Sequence, residues 1–274
     1  MIARFGPAGS ADSFHTMGYR KTAQMPEYLT RMELDAFEYQ CGRGVRISRE
    51  AAQELGRLSA EKDIRLSLHA PYFISLSSLE EEKRMGSIDY ILQSAVAADA
   101  MGADRIIVHS GSASKISRSD ALELAKDTLR KAQKTLDEQG LSHIHICPET
   151  MGKINQLGTL DEVIEQCRVS PVFAPVVDFG HLNARELGGA FLDVDDYRRV
   201  FQTIGEQLGE KGSHFLRIGR SLIINIDYIY LIDVSKQQLV LSDCAGCYHE
   251  LSASREVLIK LKAYMESLSK KQNG

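Results

Sequence analysis

Histidine, glutamate and aspartate recur in this chain at the ends of short apolar runs. Their imidazole nitrogens and carboxylate oxygens are donors that bind divalent cations. The runs are LSLHAPY, IIVHSG, IHICPET and PVVDFGHLNA, and they close on His69, His109, Glu149 and the pair Asp178 and His181. Donors of this kind suit zinc and similar ions at about 2.0 to 2.2 Å, and a carboxylate such as Glu149 can bridge two ions. Two ions held about 3.5 to 4 Å apart polarise a phosphoryl group and activate a water for in-line attack. Phosphodiester hydrolysis is a natural use of such a pair. Taken singly, each residue has an ordinary reading, as a hydrogen-bonded strand-end His or a Glu in a salt bridge. Four successive strand ends that all carry ligand types point instead to one shared site.

A parallel α/β barrel gathers the C-terminal ends of its strands around one mouth, so side chains this far apart in sequence would converge there. Strand-like runs fall near 2–5, 35–40, 64–69, 104–109, 143–148 and 172–178, alternating with amphipathic helical stretches near 48–62, 79–102, 118–139, 159–168 and 194–209. The alternation predicts an α/β fold, TIM-barrel-like but incomplete, since six strands are two short of a closed barrel. Ser48 is placed to cap the first of these helices, and Ser117 or Ser119 the third. His143 and His145 fall on the opposite face of their strand from Ile144 and Ile146, which makes them packing or surface residues.

At 274 residues, 43% hydrophobic and 26% charged, the chain can bury a large core. The start has no basic and apolar signal pattern, and no apolar run is long enough to span a bilayer, so a cytoplasmic location and no membrane partner are expected. Five cysteines without regular spacing predict reduced thiols. From about Gly212 the texture changes to alternating β-branched residues with a tight turn at Asp233 to Lys236, then an amphipathic terminal helix. The segment 213–274 carries eight Lys and Arg against six Asp and Glu, whereas residues 1–212 carry 25 against 31. That reversal of sign divides the chain into 1–212 and a β-rich 213–274.

HAPYFISL, VHSGS, PET and DFGHLNA resemble endonuclease IV, the zinc-dependent apurinic/apyrimidinic endonuclease of the xylose-isomerase-like barrels, over about residues 1–210. The resemblance implies that His69 and His109 bind one zinc, that Glu149 bridges it to a second, that Asp178 binds the second and that His181 binds a third. It also implies that Glu149 is catalytic and that Tyr72 lies against DNA, although an ordinary loop aromatic remains the other reading of Tyr72. The family's later ligands, a His on the seventh strand, an Asp-x-His pair and a Glu on the eighth, have no recognisable counterpart; His214 lies near the first of them.

FLRIGRSLIINIDYI, LVLSD and ELSASREVLIKLKAYM resemble the second half of a LytTR-type DNA-binding domain over about 213–268, with Arg217, Arg220, Asn225, Ser254 and Arg255 on its recurring positions. Arg217 and Arg220 are thereby implied to touch DNA, against the reading that they are solvated surface. Gly219 stands where that family often has His, and the module's first half is absent. Cys244, Cys247 and His249 form a lone C-x-x-C with an adjacent His, open to zinc or redox chemistry but without the second pair a structural zinc uses.

The function expected from these resemblances is a zinc-dependent phosphodiesterase acting at abasic sites in DNA, with one to three zinc ions or manganese, and a second copy of the chain able to close the barrel. A single-metal sugar isomerase or epimerase of the same superfamily is the alternative, followed by a non-catalytic fusion that binds DNA or protein.

Overall fold

The computed structural model describes residues 4–209 except 114, and 215–218, 222–225, 229–242, 248–252 and parts of 254–263. It separates into two compact units, Arg4–Asp196 and a second that begins at Tyr197.

The first unit is built on four parallel strands, β1 (Ala36–Gln40), β2 (Arg65–His69), β3 (Arg105–Val108) and β4 (His145–Pro148), hydrogen-bonded in chain order. Parallel neighbours need a crossover, and helices supply each one: α3 (Arg49–Ala60), α4 (Glu81–Ala100) and α5 (Arg118–Glu138). The strands bury Leu68, Ile106, Val108 and Ile146 completely, and Ile144 just before β4 is buried as well. On α5 the buried face is Ala121, Ala125, Leu129, Ala132 and Leu136, spaced at three and four residues as a helical stripe must be. Ser48 accepts a hydrogen bond from Ala51 N at 3.2 Å and caps α3, and Ser117 caps α5 through Asp120 N at 3.1 Å.

Two further segments flank this sheet. Phe5–Gly9 runs beside β1, with Ala36 N donating to Phe5 O at 3.0 Å and Gly9 N to Glu38 O at 2.9 Å. Gly6 allows that approach, because a Cβ there would collide with the Ala36 carbonyl. Pairing thus runs over 5–9, and residues 2 and 3 of the expected run 2–5 lie outside the described residues. On the other flank, the run expected as a strand over 172–178 reduces to one bridge between Val176 and Glu149. Pro171 and Pro175 explain this, since neither has an N–H to offer a ladder. Beyond β4 lie α6 (Leu160–Cys167) and α7 (Phe179–Arg185); α7 and two short N-terminal helices, α1 (Asp12–Thr16) and α2 (Met25–Arg31), were not predicted from the sequence. They are too short to show a full apolar period.

The helix α8 (Val194–Leu208) crosses the point where the two units divide. In the second unit β5 (Phe215–Ile218) and β6 (Leu222–Asn225) form an antiparallel pair, and β7 (Ile229–Asp233), β8 (Gln238–Ser242) and β9 (Tyr248–Ser252) an antiparallel meander. Among the described residues five strands stand where two or three were expected. The predicted turn is present: Asp233 Oδ1 accepts from Ser235 N at 3.0 Å and Lys236 N at 2.9 Å. Helical residues follow between 255 and 263. Among the described residues no helix is long and apolar enough to cross a membrane.

Candidate metal centre

The four sequence-predicted strand ends converge. His69 is the last residue of β2, His109 and Glu149 directly follow β3 and β4, and Asp178 is the N-cap of α7. The ligand atoms of His69, His109 and Glu149 all lie within 4.8 Å of one another, and so do those of Glu149, Asp178 and His181. Glu149 belongs to both groups. Its Oε2 is 3.2 Å from His69 Nε2 and 2.9 Å from His109 Nε2, while its Oε1 lies 3.8 Å from His181 Nδ1.

The tautomers follow from backbone carbonyls, which only accept. His69 Nδ1 donates to Ala70 O at 2.8 Å, and His181 Nδ1 donates to Thr150 O at 2.9 Å. In a neutral ring each Nε2 is then the lone-pair nitrogen, as in metal-binding histidines oriented by a carbonyl behind them. The Nε2 lone pair of a neutral His69 would face a carboxylate oxygen, two acceptors with nothing between them. A proton or a cation must occupy that gap.

The electrostatics agree with this. Burial works to strip His69 of its proton, but the Glu149 carboxylate and the Ala70 carbonyl prevail and raise its pKa above the ordinary 6.5. Burial likewise pushes the Glu149 carboxyl up, but hydrogen bonds from His109 and His69 outweigh it and bring the group down to about 2. A negative carboxylate in a buried pocket, faced by imidazoles, is a donor set that fits zinc or manganese.

Residues that the sequence reading did not single out hold these ligands. Thr150, fully buried, accepts from Asp178 N at 2.8 Å through its hydroxyl and takes the His181 Nδ1–H on its carbonyl. Asp178 Oδ1 caps α7 by accepting from His181 N at 2.7 Å, which leaves Oδ2 for a ligand role. Behind Glu149, Arg118 and Arg185 clamp the loop 151–158 by its carbonyls, and Glu162 anchors Arg118 with two contacts of 2.7 Å. Thr150 stands in the PET motif beside the more conspicuous glutamate. Nothing in the loop's sequence announces a clamp.

Tyr72 lies at the same mouth, its ring 5.4 Å from that of His109. His143 is exposed and pairs with Asp99 at 2.9 Å, and His145 opens β4, so both stand apart from the centre as expected. Arg217 sits in β5, with its side chain outside the described residues. Arg220, His214, Cys244 and Cys247 lie outside the described residues altogether.

The sequence pattern of the xylose isomerase-like TIM barrel family matches residues 26–239. An uncharacterized protein of Methanocaldococcus jannaschii is 28% identical over 185 residues, 68% of this chain and 66% of that protein. Two proteins named probable endonuclease 4 are similar over shorter spans. That of Acholeplasma laidlawii is 29% identical over 44% of each chain, and that of Mycoplasma pneumoniae is 35% identical over 52% of this chain and 48% of its own. The chain thus spans about half the length of these endonuclease relatives. Among solved structures, L-ribulose 3-epimerase superposes with a TM-score of 0.56 at 13% identity over 75% of this chain and 79% of its own. Endonuclease IV from Thermus thermophilus gives 0.52 at 20% identity over 76% and 72%. These structural likenesses speak to fold alone. No comparison points to a LytTR module, and the family match itself runs into the segment read as one. With its parallel strands, crossover helices and small antiparallel sheets toward the C-terminus, the chain belongs to the xylose isomerase-like TIM barrel family.

Proposed function

We propose that the chain is a metal-dependent phosphodiesterase that acts on DNA at abasic sites. The observation that carries this reading is the double use of Glu149. One oxygen meets His69 and His109 and the other faces the Asp178 and His181 side, so a single carboxylate joins two ligand groups. A one-ion isomerase needs only one such group. The names of the endonuclease 4 relatives favour the same assignment.

In this reading His69, His109 and Glu149 hold one divalent ion, and Glu149, Asp178 and His181 a second, His181 joining that group instead of the third ion that the resemblance implies, with zinc the best fit and manganese a substitute. Bound there, such ions neutralise phosphoryl charge and acidify water, contributions each worth several kcal/mol to phosphoryl transfer. The protein's own part is to keep the ligands fixed. The Ala70 and Thr150 carbonyls fix the two ring tautomers, and the Thr150 hydroxyl holds the backbone of Asp178.

The sugar isomerase or epimerase reading keeps one observation of its own: Glu149, Asp178 and His181 by themselves suffice for one ion. Incision of a duplex with one tetrahydrofuran abasic analogue, compared with an undamaged duplex in zinc and in manganese, separates the two readings. Nicking confined to the lesion strand and abolished in Glu149→Gln is the expected result. Metal bound at one ion per chain without any incision would transfer the assignment to the isomerase class.

A further inference from the structure

The Tyr72 ring is held from four directions. Its hydroxyl donates to Gln40 Oε1 at 2.9 Å. Its ring lies nearly parallel to that of His109, at 22°, and edge-on to that of His69 with centroids 5.1 Å apart. Its backbone N donates to Gly42 O at 3.2 Å, and a Cβ on Gly42 would fall 2.5 Å from Tyr72 Cε2. The ring therefore rests where a side chain at position 42 would stand.

Gln40 is oriented in its turn. It sits beside His69 in the strand register, and Glu38 sits beside Ser67. Gln40 Nε2 donates to Glu38 Oε1 at 2.7 Å, and Glu38 also accepts from Ser67. With its NH2 committed to a carboxylate, the amide must turn its oxygen toward Tyr72, and that oxygen accepts only a donor. The phenolic proton is thus spent on Gln40. What remains free is ring surface, with Tyr72 still 54% exposed.

We propose that Glu38, Gln40 and Gly42 are positioning residues that hold Tyr72 as a rigid aromatic wall of the metal centre, which meets a ligand with its ring and not as an acid. The class of ligand, a nucleobase or sugar ring beside a phosphodiester, rests on the phosphodiesterase reading above; the holding of the ring does not. A pre-set wall spares the ligand the cost of ordering a mobile side chain, and stacking on it tolerates any base.

Two substitutions unseat the ring by unrelated routes. Gln40→Leu removes the acceptor, and Gly42→Ala pushes the ring from beneath. In the metal-free full-length chain with labelled histidine, NMR reads the ring-current shift that Tyr72 imposes on the His109 ring protons, and Tyr72→Leu defines its full size. Both variants are expected to lose at least half of that shift, whereas Glu38→Gln, which still offers the amide an acceptor, keeps it. On the tetrahydrofuran duplex, KM should rise about fivefold or more in both variants, well beyond any fall in kcat. An unchanged His109 shift in both variants overturns the positioning claim. A lost shift with an unchanged KM overturns the wall as a ligand contact. If the unaltered chain leaves the duplex intact, the phosphodiesterase reading fails, and the NMR comparison still decides whether these residues hold the ring.

Discussion

A neutral His69 cannot satisfy Glu149, because its one N–H is already given to the Ala70 carbonyl. That detail makes the metal-free protein sensitive to pH in a definite direction. The His69 pKa is raised in the fold, so the stability it contributes is full below its ordinary value of 6.5 and is lost as pH rises through the raised value. The Glu149 pKa is lowered, so its contribution is full above the ordinary 4.5 and is lost as pH falls toward about 2. Together they stabilise the metal-free chain most between pH 4.5 and 6.5. A cation competes with the same proton, and its binding strengthens with rising pH. In thermal melts with a chelator, Tm should therefore fall as pH climbs from 6 to 8, while the gain on adding zinc should grow over that interval. A zinc gain that stays constant with pH would remove His69 from the ligand set. All five ligand candidates were legible in the sequence, because His, Glu and Asp at strand ends stand out against apolar runs. Thr150, Glu38 and Gln40 were not, because a residue that orients a ligand by one hydrogen bond has no distinctive type.

Helices and strands long enough to show a full period were legible to within a few residues. The stripe of α5, with its Ser117 cap, is an example. Local rules fail where a segment is shaped by its neighbour. The expected strand stops at residue 5, and residues 6–9 beyond it are rich in Gly and Pro, yet this stretch pairs with β1 because Gly6 has no Cβ to clash with Ala36. The same holds for the loop 151–158, whose order comes from side chains remote in sequence. Glu162 is the pivot of that loop: it accepts from Gly158 N at 2.8 Å and Thr159 N at 3.0 Å while it holds Arg118. Burial would raise its carboxyl, but Arg118 and these backbone donors prevail and lower it. Glu162→Ala leaves all three donors without their acceptor, and each unmet group costs about 1 to 3 kcal/mol where water is excluded, with partial solvation at Arg118 reducing the sum. A loss of about 3 kcal/mol in chemical denaturation is expected. Arg57→Ala, which breaks only the exposed pairs with Glu54 and Glu61, should leave the denaturation midpoint in place. Equal effects from the two variants would mean that the clamp adds nothing to the fold.

At the scale of the whole chain, two boundaries compete. The change in texture near residue 212 suggests a barrel portion followed by a separate β-rich module, with the barrel left two strands short. The family pattern does not stop there; it continues to residue 239, through β5, β6 and β7 and into β8. A family pattern that continues past residue 212 gives no reason to end the fold there. The alternation of β-branched residues after 213 was readable as strands. Its affiliation was not, since a period of two says how a strand is buried and nothing about which sheet it serves. We therefore expect that a chain cut after residue 212 loses cooperative unfolding or aggregates at concentrations where the full chain stays dispersed. Size-exclusion chromatography with light scattering, together with calorimetry of both chains, tests this directly. A truncated chain that elutes as a clean monomer with an undiminished Tm would support the two-module division and with it an independent role for residues 213–274. The same measurement on the full chain reports whether it self-associates, which the expected closure of the barrel by a second copy requires.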